Sequence, residues 1–484
     1  MRKKYGLFKI LTIILLLIML VTYFMNSRDE IYAPLAIIDV ILNYIQSFYY
    51  FFDTAIFILI VGGFYGFLNH VPAYKKLVKQ IAEFFKEKGK MFVVITTIAF
   101  ALISSLTGLN VILLLFIPFI ISIILLLGYD KLVAISATIG GTISGLIGAI
   151  FLTLKDSSDY EVTYITIDEF IGLDSIWGNI FPKVLLLVVV TGLLIFYILN
   201  HIKKVETKEE KYKLTKSDSL FFEVKDRKGE VVKYDDSKTL TWPLAILLLL
   251  FLAIIVLGYV PWKGIFGIDC FEKFHSWIVK FNIGDHGIFT GFITNNIGAF
   301  GTWRELGNYL VAIVVLIILM IITMLTHRIK FEEAMDGFIY GTKKMIPAVI
   351  IVMLAYCVLV CSYNHGFSEV IIKAVSKEFG DNAVIHSLLT GVGSVLHVDL
   401  QYTTNAILNT VVSSLTKDAN LSIYVIMFQS IYGMIQLVGP TSILLLVGLM
   451  YLDVPYKTWL KYIWRFIVEL IIVIMIVLMI VSLL

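Results

Sequence analysis

The sequence predicts an all-α polytopic membrane protein of about nine full spans plus two hairpins, arranged as two inverted-topology repeats, each with a re-entrant hairpin and a broken helix. Three observations predict it. Of 484 residues, 59% are apolar and only 15% charged, with a mean hydropathy of +0.91; a soluble domain has about 45–50% and about 25%. Apolar runs of spanning length recur along the whole chain. Residues 295 positions apart repeat in the same order. Too little polar surface exists to cover such a chain in water, which excludes a soluble enzyme, a disordered chain, a coiled coil and a nucleic-acid binder. Three cysteines, Cys270, Cys357 and Cys361, form neither a metal motif nor a disulfide framework.

Taken in order, the first run is 7–25, which follows Met1-Arg2-Lys3-Lys4 and has no small-x-small cleavage site before Asn26. It reads as a retained span, and 1–50 as an N-terminal span with its outer loop. Further runs lie at 51–69, 132–154, 181–201, 241–260, 307–326, 345–363, 420–450 and 466–484. Two stretches, 91–127 and 383–416, are apolar but interrupted by small and polar residues, and are expected to be hairpins. Residues 73–86 and 331–344 read as helices lying along the cytoplasmic interface. The hydrophilic segment 203–240 reads as a linker within the connecting region 155–344. With the N-terminus inside, 29 of the 39 Lys and Arg residues fall on inner segments. The positive-inside rule then places the protein in the cell membrane with its N-terminus cytoplasmic and its C-terminus outside.

The repeat reading pairs 51–154 with 345–450. Asn69-His70 recurs as Asn364-His365, Asn110 falls on Asn405, Tyr129 on Tyr424, and Gly145 on Pro440. The topology has the first copy entering its interrupted stretch from inside and the second from outside. Inverted copies are the mark of secondary transporters, whose solute site lies between repeats near the bilayer midplane.

Irregular backbone at membrane depth is tolerated only where protein or water satisfies its amides. Four interruptions meet that condition: 104–110, 140–145, 397–405 and 439–442. They supply the candidate solute-binding residues Ser105, Thr107, Gly108, Asn110, Thr142, Ser144, Thr403, Thr404, Asn405, Thr441 and Ser442. Asn110 and Asn405 are expected to be a symmetric pair. His397 and Asp399, ionisable groups at the second tip, are candidates for carrying a proton or coupling ion or for meeting a cationic solute. The polar stretch 294–303 reads equally as a dip into the membrane or a surface loop. No catalytic triad, HExxH, CxxC or phosphate-binding loop occurs, so no enzyme, cofactor or metal is expected beyond a coupling Na+ or H+.

Val61 to Asn69, Ile117-Pro118, Leu127 to Leu132, Ala299 to Trp303, Met335 to Phe338, Gly439 to Ser442 and Val454 to Lys461 resemble, in order, the YfcC-type carriers. These are basic amino-acid antiporters such as arginine/ornithine exchangers, related to the anaerobic C4-dicarboxylate carriers of the ion transporter superfamily. The resemblance implies an elevator-type carrier that is often dimeric and binds solute between hairpin tips. Two departures bear on substrate. Acidic residues after the first-tip glycine are replaced here by Leu109-Asn110-Val111, and a Ser-rich second tip by His397 to Asn405. The expected function is secondary transport of a small organic solute, an amino acid first. A carboxylate carrier or a transport-inactive membrane scaffold are the alternatives. The expected partners are that solute and the lipid bilayer, with a homodimer left open.

Overall fold

The computed structural model describes residues 6–25, 34–156, 163–173, 179–206, 239–283, 286–287, 297–303, 309–380, 382–415 and 420–483. Most of the linker 203–240 and part of 294–303 lie outside them. Helices dominate the described residues. Seven are long and apolar enough to cross a membrane, or eight if one bent pair counts as a single span. The protein is thus a multi-pass membrane protein.

Helix α1 (Gly6–Met25) is followed by α2 (Ile37–Tyr50), which meets α3 (Phe52–Leu68) at a 66° bend. A surface helix, α4 (Pro72–Phe84), leads into the first hairpin, α5 (Gly89–Thr107) and α6 (Ile117–Leu126), joined by a tip and a short 3₁₀ turn. Asp130 caps α7 (Lys131–Ile147) by accepting from the Val133 amide at 2.9 Å. A two-stranded hairpin, β1 (Thr153–Asp156) with β2 (Thr163–Thr166), and the short α8 (Ile167–Phe170) precede α9 (Ile180–Glu206). Next come α10 (Trp242–Tyr259), α11 (Cys270–Lys280) and α12 (Leu310–Thr326).

The second half has the same order of parts. Helix α13 (Phe331–His365) leads to a short helix α14 (Phe367–Phe379), then a hairpin of α15 (Ala383–Leu396) and α16 (residues 400–414). Helix α17 (Leu421–Val438), a break, and α18 (Ile443–Tyr451) follow, and α19 (Tyr456–Leu483) ends the chain.

Two local expectations are corrected. Residues 331–344 form no separate surface helix; they are the first turns of the 35-residue α13, which carries Pro347 inside it. Residues 140–145 are no break. A π turn at Ser136–Gly140 runs on into regular helix as far as Ile147, and the chain opens only after it. The glycines serve packing instead: a Cβ on Gly145 would sit 2.2 Å from the Ala101 carbonyl oxygen and one on Gly141 2.9 Å from that of Thr97. Their missing side chains let α7 lie directly on α5. The break at 439–442 does occur, between α17 and α18.

The central pair is α3 with α13. A Cβ on Gly341 would lie 2.1 Å from the Gly62 carbonyl oxygen, and one on Gly66 2.3 Å from that of Gly337. Backbones approach this closely only over small residues. Near the strands, Asp168 is fully buried and takes both Asn179 (2.7 Å) and the Lys183 ammonium. A second buried pair, His201 with Asp130 at 2.9 Å, ties α9 to the cap of α7.

Candidate functional site

A cavity of about 560 Å³ is lined by two groups of elements. From the α3/α13 side come Asp53 and Thr54 in the first turn of α3, Tyr356 of α13, Tyr259 at the end of α10 and Tyr309 at the start of α12. The hairpin side brings residues 108–112 of the first tip, 398–402 of the second, Tyr432 and Gln436 of α17, and Ile443 and Leu444 opening α18. Both interruptions therefore open on one space.

The backbone explains each position. Gly108, at φ +64°, ends α5 in a left-handed conformation that a side chain would strain. Thr107 then accepts from the Leu109 amide at 3.1 Å, and Ser104 donates to Asn110 Oδ1 at 2.7 Å. That leaves the Asn110 Nδ2 group for the cavity. On the second tip Asp399 caps the start of α16, its Oδ1 accepting from the Gln401 amide at 2.8 Å. Asp53 Oδ1 accepts from the Thr54 amide, also at 2.8 Å. Each carboxylate thus rests on an amide. Neither has a Lys, Arg or His partner among the described residues, and no described Lys, Arg or His lines the cavity. Aromatic rings complete the lining: Phe51 stacks on Tyr356 with centroids 3.7 Å apart, and Tyr402 meets Phe51 edge-on at 6.3 Å. Carboxylates and ring faces share one preference, for a cation.

Of the sequence candidates, Gly108, Asn110 and Asp399 line the cavity. The others lie behind it or apart from it. Ser105 donates to the Gly148 carbonyl at 2.8 Å, and Thr142 to Thr138 at 3.0 Å. Thr403 donates to the carbonyls of His397 and Asp399, and Thr404 to that of Leu400 at 2.8 Å. Thr441 donates to the Val395 carbonyl at 2.9 Å. Ser144 and Ser442 are buried, their hydroxyls have no partner among the described residues, and they do not line the cavity. His397, 1% exposed, pairs with Ser368 at 3.1 Å instead of facing the cavity. Asn405 is exposed and outside the cavity, so the structure does not place it symmetrically with Asn110. Asn110 sits on the first tip itself, just after Gly108, whereas Asn405 lies inside the helix that follows the second tip.

Asp53, Tyr309, Tyr356, Tyr432 and Gln436 were not legible as site residues. They stand in helices or at their ends, outside the four interruptions, although Gln436 lies only three residues before the one at 439–442. A carboxylate within an apolar run was the available signal for Asp53. Among the described residues no three His, Cys, Asp or Glu side chains converge as metal ligands.

No curated protein matches the chain. Among solved structures it is similar to the Alcanivorax borkumensis YdaH transporter, whose crystal structure is described as having an unusual topology. The identity is 12%, 98% of each chain is covered, and the TM-score is 0.40. Over residues 5–483 the chain matches the family described as DcuC, C4-dicarboxylate anaerobic carrier, and it belongs to that family of membrane carriers.

Proposed function

We propose that the protein is a secondary carrier of an amino acid bearing a cationic group, held in this cavity with its ammonium between Asp53 and Asp399. The observation that carries the reading is that these two carboxylates line one cavity with no described cation to neutralise them. Two unit charges 4 Å apart interact by about 4 kcal/mol at an effective dielectric near 20. An added ammonium gains that much from each carboxylate it meets, and an added carboxylate loses it. Because Asp53 and Asp399 come from different groups of elements, the solute bridges them. Movement of the hairpin side past the rigid α3/α13 pair would then carry solute across, an elevator-like alternating access working by exchange or by coupling to Na+ or H+. The N-inside, C-outside orientation and a homodimer belong to the same proposal.

The family description favours a second reading, a C4-dicarboxylate carrier. That reading needs cations bound at Asp53 and Asp399 before the solute enters. Uptake into liposomes separates the two. Labelled arginine or ornithine should accumulate, and Asp399→Asn and Asp53→Asn should each reduce uptake at least tenfold. Accumulation of succinate or fumarate but of neither amine-bearing solute would reverse the order of the readings. No uptake of any of them would leave the transport-inactive scaffold.

A further inference from the structure

The α17 wall of the cavity holds two polar groups with no hydrogen-bond partner among the described residues. Tyr432 and Gln436 lie one helical turn apart, so they project from the same face. Tyr432 is 6% exposed and Gln436 8%, and both line the cavity. Neither side chain has a hydrogen-bond partner among the described residues, and both face the cavity. Groups this deeply enclosed normally find partners, so two free ones side by side point to a ligand. A second feature adjoins them. The break at 439–442 starts α18 afresh without a side-chain cap, and its first residues, Ile443 and Leu444, line the same cavity. The first amides of a helix are unpaired and carry its positive end.

We propose that Tyr432, Gln436 and the start of α18 form a second subsite that takes the carboxylate end of the solute, making the preferred cargo a zwitterion. The proposal rests on the amino-acid reading above. The phenol and the Nε2 group donate, the helix end supplies favourable potential without a formal charge, and no lysine or arginine is needed. Asp53 and Asp399 take the ammonium. A simple amine leaves the α17 donors unpaired, and a dicarboxylate meets the two acidic groups. A solute that carries both a carboxylate and a cationic group, as ornithine does, satisfies both.

The test compares ornithine with putrescine, the same molecule without its carboxylate, for binding to the purified full-length protein. Wild type should bind ornithine more tightly. Gln436→Leu and Tyr432→Phe should each weaken ornithine about 10-fold, the worth of one hydrogen bond of about 1.4 kcal/mol, and leave putrescine unchanged. Gln436→Glu should weaken ornithine further and strengthen putrescine, a gain that a misfolded variant cannot show. Equal losses for both ligands, or undiminished ornithine binding, would overturn the subsite. If wild type binds succinate and no amine, the amino-acid reading fails alone. The subsite then stands or falls on whether Gln436→Leu weakens succinate about 10-fold. Binding of none of these solutes removes both.

Discussion

At the residue scale, the chemistry resides in a few side chains whose neighbours leave them free. Asp399 and Asp53 each accept from a backbone amide through Oδ1, and both line the cavity. Asn110 is oriented by Ser104, so Ser104→Ala should release the amide and raise the KM for transported solute a few-fold with little change in Tm. Asn110→Ala should weaken solute binding about tenfold, whereas Asn405→Ala should leave binding within about twofold of wild type, since it would remove at most an exposed amide. A binding measurement on the pair decides whether the symmetry written in the sequence extends to the site. The sequence exposed Gly108 and Asn110 because small and hydroxyl residues cluster where that helix stops, and Asp399 because it is an ionisable group within an apolar stretch. It concealed Tyr432 and Gln436, which differ from any core tyrosine or glutamine in having no hydrogen-bond partner among the described residues.

At the element scale, close backbone contact holds the parts together. Gly341→Leu would drive a side chain into the Gly62 carbonyl, and overpacking of this kind costs about 1–3 kcal/mol. A measurable fall in Tm is expected. Gly192→Leu on α9, where an added Cβ meets nothing within 4 Å, should leave Tm unchanged or slightly raised, because leucine favours helix over glycine. The buried Asp168–Lys183 pair supplies a second test. Asp168→Asn strands an ammonium that is 1% exposed and should destabilise by about 3–5 kcal/mol, while replacing Asp168 and Lys183 together by leucine and methionine should cost much less. Hydropathy found the apolar helices, but it set about nine full spans where seven or eight described helices have spanning length, and it read α5, one of the seven, as half of a hairpin. It misjudged 140–145, because glycines that admit a neighbouring helix and glycines that unwind their own helix read alike in one dimension. It also divided 331–365, where charged first turns and an internal proline disguise one continuous helix.

At the scale of the whole molecule, one cavity is built from two distant parts of the chain. The first tip, near residue 110, and the second, near residue 400, are brought to the same cavity, with α3 and α13 supplying the rest of the lining. Hydrocarbon demands that interrupted backbone be covered, and covering both interruptions with each other leaves a polar chamber within a membrane protein. The family match fixes the molecule as a membrane carrier; the acidic, aromatic lining argues for the charge of its cargo.

Substituted-cysteine labelling tests the central claim most directly. With Cys270, Cys357 and Cys361 replaced by serine or alanine, Val111→Cys and Leu400→Cys each place one thiol on a different tip. Both should react with a membrane-impermeant maleimide in reconstituted protein, and arginine should slow both reactions to the same extent at the same concentration. A thiol on either tip that stays unreactive in both membrane orientations, or labelling at both tips that no solute slows, would contradict a shared solute chamber.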